Sequence, residues 1–413
     1  MRTVEPGPRA GAAGITADGS EGALTGIRVV EFCHFLAGPY AGLLLADLGA
    51  EVIKLEDPGR PDEARSMGPH FLGDQSLYFA ALNWGKRSVG LPLGSPAGRQ
   101  AAHDLLASAD VLISNYRPPV LQRLGLDDDT LRQSHPHLVT CSLTGFGETG
   151  PDAQRAGYDY TIQAASGVMG LAGEPGGPPV KAGISYVDHA GGLAAAFAVC
   201  AALLRRTRTG AGGHVDLGLF DVQLSMLSYL AAWSLNAGFE PVPMADSAHP
   251  SLVPAQNFRV ADGWLTLFVG NDSMWDRLVE ELGDDVLADP AYARREGRAA
   301  HRRPLVHRLG ELLLQDTAER WSERLGRVGV ACAPVRTVGA ALRDPQVEAR
   351  HLVTQAEHPG YGGYQHVTGP VPMMSVETAA GAPTLGQHTG EVLASLGYDP
   401  SMIEVVTASP AAV

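Results

Sequence analysis

The chain has 413 residues, enough for two or three domains at roughly 100–200 residues each. Hydrophobic residues make up 45% and charged residues 18%, which excludes a disordered polymer. With 31 basic against 45 acidic residues the formal charge is −14, which argues against an extended nucleic-acid surface but not against a local basic pocket. Residues 1–23 are rich in Gly, Ala and Pro and predict a disordered leader. The leader has no apolar h-region of a signal peptide, and no uninterrupted apolar run reaches about 18 residues. Cys33, Cys141, Cys200 and Cys332 are scattered, without a CxxC pair or metal-ligand spacing. These features predict a cytoplasmic protein with neither a metal nor a membrane among its partners.

Structure is expected to start at Leu24. Ile27–Phe32 predicts a buried strand, Ala37-Gly38-Pro39 a turn, Tyr40–Leu48 an apolar helix stopped by Gly49, and Glu51–Leu55 a second strand. A helix at Ala101–Ser108 and strands at Asp110–Ile113 and Leu138–Leu143 repeat the alternation. Such alternation predicts a doubly wound, Rossmann-like α/β large domain over 24–235. Ligands of these sheets bind beyond the strands' carboxyl ends, where His34–Pro39 and Asn115–Pro119 would lie. No GxGxxG follows the first strand, so a nicotinamide fingerprint is missing. Gly191–Arg206 and Phe220–Ala232 predict further helices. Residues 236–250 read as a linker. A smaller α/β domain is expected over 251–345, with a strand at Trp264–Val269 and helices at Ser273–Leu282, Arg302–Leu314 and Thr317–Gly326. Residues 346–413, with extended glycine-rich stretches at 361–364 and 369–372, are expected to return to the large domain.

Asp188 is the residue with the best claim to chemistry. It follows the apolar run Ile184–Val187 and precedes a long apolar helix, so its carboxylate lies at or near a helix N-terminus. From position alone, simple capping is the commoner role of such a residue. Gly191 and Gly192 cost stability in a first helical turn unless something approaches closely. His189 could act as a base or only as a half-buried polar residue. Tyr158-Asp159 could touch a ligand or open another helix. Lys86-Arg87, Arg117 and Arg123 are candidate phosphate contacts, Arg117 being favoured by the rigid Asn115-Tyr116-Arg117-Pro118-Pro119 segment. No GxSxG, GxxxxGK[ST] or HExxH motif is present, and His135-Pro-His137 lacks further ligands.

The ordered string Leu24-Thr-Gly-Ile-Arg-Val-Val-Glu-Phe, Leu48-Gly-Ala-Glu-Val-Ile-Lys-Leu-Glu, Asn83-Trp-Gly-Lys-Arg-Ser-Val, Asp110-Val-Leu-Ile-Ser-Asn-Tyr-Arg-Pro, Ser142-Leu-Thr-Gly-Phe-Gly, Gly157-Tyr-Asp-Tyr, Asp188 and His249-Pro-Ser resembles the family III CoA-transferases. That family includes formyl-CoA transferase, carnitine CoA-transferase and the alpha-methylacyl-CoA racemases. The resemblance covers about residues 24 to 395. It implies an intertwined homodimer that binds acyl-CoA and a free carboxylic acid, with coenzyme A as the carried group. It also implies that Asp188 is the nucleophile, passing through an anhydride and an aspartyl-CoA thioester. CoA contacts are implied at Leu36, Ala37, Asn115, Tyr116, Arg117, Arg123, Arg155, Tyr158 and Asp159. Arginine suits the phosphates because its planar fork donates two parallel hydrogen bonds.

The sequence departs from the family pattern at Asp57 and Gly94, where formyl-CoA transferase has basic residues; Arg60 or Arg65 are the nearby substitutes. Racemases place a histidine where this chain has Tyr158, whose unperturbed pKa of about 10 makes it a poor base. Transfer is therefore the favoured expectation, with racemisation by Asp188 and a silent CoA-binding homologue as the alternatives.

Overall fold

A computed structural model describes residues 22–370 and 379–408. The expected leader falls on 1–21, outside the described residues, but Gly22 is packed: a Cβ there would lie 2.4 Å from the Leu48 carbonyl oxygen. The chain divides into two compact units. One holds the described residues up to Ser166, Gly183–Ser228 and those from Pro345 onward; the other holds Gly167–Ala182 and Tyr229–Asp344.

In the first unit the elements run β1 (Arg28–Phe32), α1 (Ala37–Asp47), β2 (Glu51–Glu56), α2 (Leu77–Asn83), β3 (Arg87–Gly90), α3 (Pro96–Ala107), β4 (Val111–Ser114), α4 (Pro118–Leu124), α5 (Asp128–Ser134), β5 (Val139–Thr144), α6 (Asp159–Ala165), α7 (Tyr186–Thr209), β6 (Gly213–Gly218) and α8 (Leu219–Met226). The six strands pair in the order β3-β2-β1-β4-β5-β6, every pair parallel. Sequence order reverses between β1 and β4, the point at which sheets of this kind bind their ligands.

Both faces of the sheet are covered, which explains its nearly continuous apolar strands. Val29, Val52, Val111 and Cys141 pack on one side with Ala41 and Leu45 of α1 and Ala195 and Val199 of α7. Val30, Ile53, Val89 and Leu112 pack on the other with Leu105 of α3 and with Leu393 and Val406 from the chain's end. That return is anchored at β3, where Gly90 N–H donates to Thr389 Oγ1 and Ser88 N–H to His388 Nδ1. Strands Val353–His358 and Gly362–Val367 form a hairpin, and Ala379–Ala380 adds to it in parallel. Residues 371 and 372, expected to be extended, lie outside the described residues.

Three sequence expectations are corrected. Ala37-Gly38-Pro39 is not a separate turn but the opening of α1, since proline is tolerated where a helix's first N–H groups have no internal partner. The helix expected at Phe220–Ala232 is two, because Ser228 takes φ +47° between α8 and the helix Tyr229–Ala237. Helix α7 has 24 residues, and an 18-residue window within it, of mean hydropathy 1.7, is long and apolar enough by composition to cross a membrane, contrary to the expectation that no segment is. Its Val187, Ala195, Val199 and Leu203 are instead buried in the sheet's core.

The second unit carries the antiparallel strands Ala331–Pro334, Gly263–Phe268 and Ala255–Val260 in that order. Leu265 and Leu267 point inward against Trp275 and Leu278 of helix Asp272–Leu282, Leu305 and Leu309 of Arg302–Leu313, and Trp321 and Leu325 of Ala318–Arg327. The unit also claims Tyr229–Ala237, expected in the large domain as far as residue 235, and the 167–182 segment, expected there throughout. Asp246 N–H, in a 3-10 turn within the expected linker, donates to the Glu174 carboxylate of that segment.

Candidate functional site

Asp188 is the third residue of α7, in the helix's first turn rather than at its cap. The cap is Ser185, whose side chain makes no capping bond. The Asp159 carboxylate does that work instead: it is 3% exposed, accepts from Val187 N–H at 3.0 Å and from Gln163 Nε2 at 2.8 Å. Asp159 was expected to contact cofactor; its hydrogen bonds make it the brace of the turn that carries Asp188. The helix dipole at that turn favours an anionic side chain. Asp188 is half-buried. Burial, and the charges of Asp188, Asp62 and Asp159, push the Tyr78 phenol up to about 12, so it remains a neutral hydroxyl beside three carboxylates.

The glycines after Asp188 are explained by protein, not ligand. A Cβ on Gly192 would lie 2.8 Å from the Ala37 carbonyl oxygen and 2.9 Å from the Tyr40 ring; one on Gly191 would meet Leu219 at 2.3 Å. They let α7 press against the start of α1. His189 is likewise occupied: its Nδ1 lies 2.8 Å from the Ser185 carbonyl oxygen and its ring meets Tyr40 edge-on.

The loop from Cys33 into α1 and the segment after β4 meet at the sheet's reversal. Asn115 brackets His34, accepting from its N–H at 3.0 Å and donating to its carbonyl at 2.8 Å. Tyr116 stacks on Phe32 and His34, with ring centroids 4.3 and 4.8 Å away, and burial raises its phenol to about 12. Leu36 and Ala37 are buried at 7% and 6%, and the Phe35 ring meets exposed Tyr158 edge-on. Arg117 is exposed, its guanidinium only 3.5 Å from the Gln154 carbonyl; Arg123 is exposed in the last turn of α4. Arg155 is exposed, loosely paired with Asp152 at 3.4 Å and laid over Phe146.

Beneath this loop lies a group of residues that sequence reading missed. Lys54 Nζ is 3.0 Å from Glu31 and 2.9 Å from Asp62, and Lys86 Nζ is 2.6 Å from Glu31, with all four side chains shielded from solvent. Burial works against ionising Glu31, yet Lys86 and Lys54 hold its carboxyl below the usual range. Glu31 and Lys54 sit inside apolar strand sequences, and a charge at such a position was the available signal. Lys86 and Arg87 were candidates for phosphate, but Lys86 is committed to Glu31, and Arg87 pairs with Glu51 and Glu391. Arg65 is no substitute cation for Asp57 or Gly94 either, because its guanidinium grips both oxygens of Glu56 and the Pro383 carbonyl. Arg60 remains exposed. His135 and His137 turn to His103 and the Ala109 carbonyl, and among the described residues no group of three or more potential ligands could hold a metal.

Within the second unit, a cavity of about 280 Å³ is lined by Leu171, Tyr229, Phe239, Val242, Met244 and neighbours. His249, in the same unit, is fixed as an acceptor for Ser251 and Leu252 N–H groups, its other nitrogen 3.4 Å from the Tyr229 hydroxyl.

Residues 24–389 match the model of CoA-transferase family III. The chain is 38% identical to the succinate–glutarate CoA-transferase of Agrobacterium fabrum, over 90% of this chain and 95% of that one. It is 35% identical to the human succinyl-CoA:glutarate CoA-transferase, over 92% and 87%, and 36% identical to the acetyl-CoA:oxalate CoA-transferase of Acetobacter aceti, over 81% and 86%. Among solved structures it resembles a CaiB/BaiF family protein from Brucella suis, with a TM-score of 0.79 and 36% identity over 91% of this chain and all of that one.

Proposed function

Because the chain belongs to CoA-transferase family III, we propose that it moves CoA from an acyl-CoA to a free carboxylate through covalent intermediates on Asp188. It is a CoA-transferase, and CoA is what it carries. The observation that carries the Asp188 reading is its placement: a half-buried carboxylate in the first turn of α7, a turn braced by Asp159 on a helix whose Gly192 packs against Ala37.

The carboxylate attacks the thioester carbon and expels CoA thiolate, leaving an acyl–aspartyl anhydride. The thiolate attacks the aspartyl carbonyl of that anhydride, releasing the donor acid and leaving an aspartyl-CoA thioester. The acceptor carboxylate then displaces the thiolate in turn, and the returning thiolate attacks the acceptor carbonyl and frees Asp188. Each step exchanges one acyl oxygen or sulfur for another and needs no proton abstraction at carbon. Tyr158, an exposed phenol, gives a racemase no competent second base. Arg117, Arg123 and Arg155, being exposed, are the proposed holders of the CoA phosphates, with Asn115 and Tyr116 shaping the loop beside them. The relatives named for succinate, glutarate and oxalate point to dicarboxylic acids as donor and acceptor.

The parallel order 3-2-1-4-5-6 supports a Rossmann-like large domain. A homodimer is supported by an apolar stripe on α7, where Leu193, Phe197 and Leu204 are 46%, 77% and 63% exposed. The free state of all four cysteines is in keeping with a cytoplasmic location.

The deciding experiment is Asp188→Asn, which keeps shape and removes the anion. Transfer falls at least ~10³-fold while CoA still binds. In the wild type, acyl-CoA with hydroxylamine leaves a hydroxamate on Asp188 detectable by mass spectrometry. More than a few per cent residual activity in the variant overturns the covalent scheme.

A further inference from the structure

The segment from Cys33 to Pro39, the loop after β1 and the opening of α1, is held from beneath by charged side chains acting on its backbone. Lys54 Nζ donates to the Cys33 carbonyl at 2.8 Å, and Lys86 Nζ to the Pro39 carbonyl at 2.7 Å. Between these points Phe35 adopts φ +60°, a left-handed conformation that is strained for a residue with a bulky side chain. The Phe35 N–H donates to Asp62 Oδ1 at 3.0 Å, and the same oxygen accepts from Ala64 N–H at 3.0 Å. Asp62 is 3% exposed, and its second oxygen pairs with Lys54, whose own charge is shared with Glu31. Two acids and two lysines balance in charge, so the set is neutral as a whole.

Neutrality alone does not explain why ions are used. A buried ion pair is commonly no more stabilising than apolar residues of similar volume. What apolar residues cannot do is bind peptide groups, and three of these four side chains do so at this one loop. Leu36 and Ala37 follow Phe35 directly, and the Ala37 carbonyl is where α7 packs through Gly192. A flip of the Phe35 peptide would therefore disturb the proposed CoA-contacting backbone and the start of α1 together.

We propose that Asp62 is a positioning residue for acyl-CoA: its carboxylate holds the Phe35 peptide in the left-handed conformation and so sets the Leu36-Ala37 backbone for the ligand. The Lys54–Glu31–Lys86 chain fixes Asp62 and the two ends of the loop. This rests on the family reading of the loop as a CoA contact, and goes beyond it by naming the group that shapes it.

Asp62→Ala removes the acceptor and the charge, whereas Asp62→Asn keeps an oxygen for Phe35 N–H and replaces the anionic oxygen that faces Lys54 with an amide NH2. Calorimetry with CoA is expected to show about tenfold weaker binding for D62A and recovery of most of that loss in D62N. Hydrogen exchange of the 33–38 amides is expected to accelerate in D62A and not in D62N. A role in charge balance alone predicts that the two variants are impaired alike, and that result overturns the proposal. So does D62A binding CoA as the wild type does. Should D62A fail to fold, D62N decides: near-wild-type affinity with slow exchange supports positioning, and a tenfold loss overturns it. A wild type that binds no CoA overturns the family reading of the loop instead, and the proposal with it.

Discussion

Lys86 and Arg117 occupy similar places in the sequence, each beside a turn that flanks a strand of the parallel sheet, yet their environments are opposite. Lys86 is 2% exposed and spends its ammonium on Glu31, the Pro39 carbonyl and Asn83. Arg117 is exposed and has one long contact to a backbone carbonyl. A cation in the interior is committed to the partners that repay its desolvation, whereas one at the rim is free to meet a phosphate. The same division separates Lys54 and Arg65 from Arg123 and Arg155. Basic character therefore identifies a phosphate contact only after burial is known.

The contrast is tested most strongly by removing an interior cation. Lys86→Ala leaves Glu31 short of one partner and the Pro39 carbonyl without its donor, at a cost of about 3–5 kcal/mol in urea unfolding. A loss under 1 kcal/mol would mean the interior network is not committed as described.

Crowding at the α1–α7 contact sets the next effect. Gly192→Ala places a methyl group against backbone atoms of α1, and a loss of ~1–3 kcal/mol is expected, with transfer falling as the Asp188 turn shifts. Unchanged stability and rate would show that the contact can yield.

Asp47 sharpens the comparison from the acidic side. It is a half-buried carboxylate with no cation bonded to it among the described residues, and burial raises it from 3.8 to about 7. Asp62 and Glu31, more deeply shielded but paired with lysines, are held low. A raised carboxyl contributes stability while protonated and loses it as pH climbs from about 4 through 7. Asp47→Asn is therefore expected to gain on the order of 1 kcal/mol at pH 8 relative to the wild type, and nothing at pH 4. Equal differences at both pH values would contradict the assignment.

The smallest stability effect belongs to the rim. Arg117→Ala and Arg123→Ala are expected to leave unfolding within ~0.5 kcal/mol of the wild type. Each should weaken CoA binding about tenfold, less so for dephospho-CoA if the 3′-phosphate is the partner. A large stability loss would move these arginines into the interior class.

Much of this protein follows from local sequence. Alternating apolar runs and helices predict a parallel sheet because a strand buried on both faces must be apolar throughout, as Val29-Val30 and Val52-Ile53 are. Asp188 stands out because it precedes a long apolar helix, and the ordered motifs from Leu24 onward carry the family. Tertiary structure decided what neighbours do. It made Asp159 the brace of the first turn of α7, since Val187 N–H lies 28 residues along the chain and only folding brings it near. Gly191 and Gly192 became seats for Leu219 and α1, a demand from partners distant in sequence. Lys86, Arg87 and Arg65 became interior or paired cations, because carboxylates at Glu31, Glu51 and Glu56 come to meet them. Propensity and periodicity are properties of a segment, whereas desolvation, pairing and close approach exist only between segments. The sequence can therefore point to a reacting carboxylate, and only the fold can say which charges around it are free.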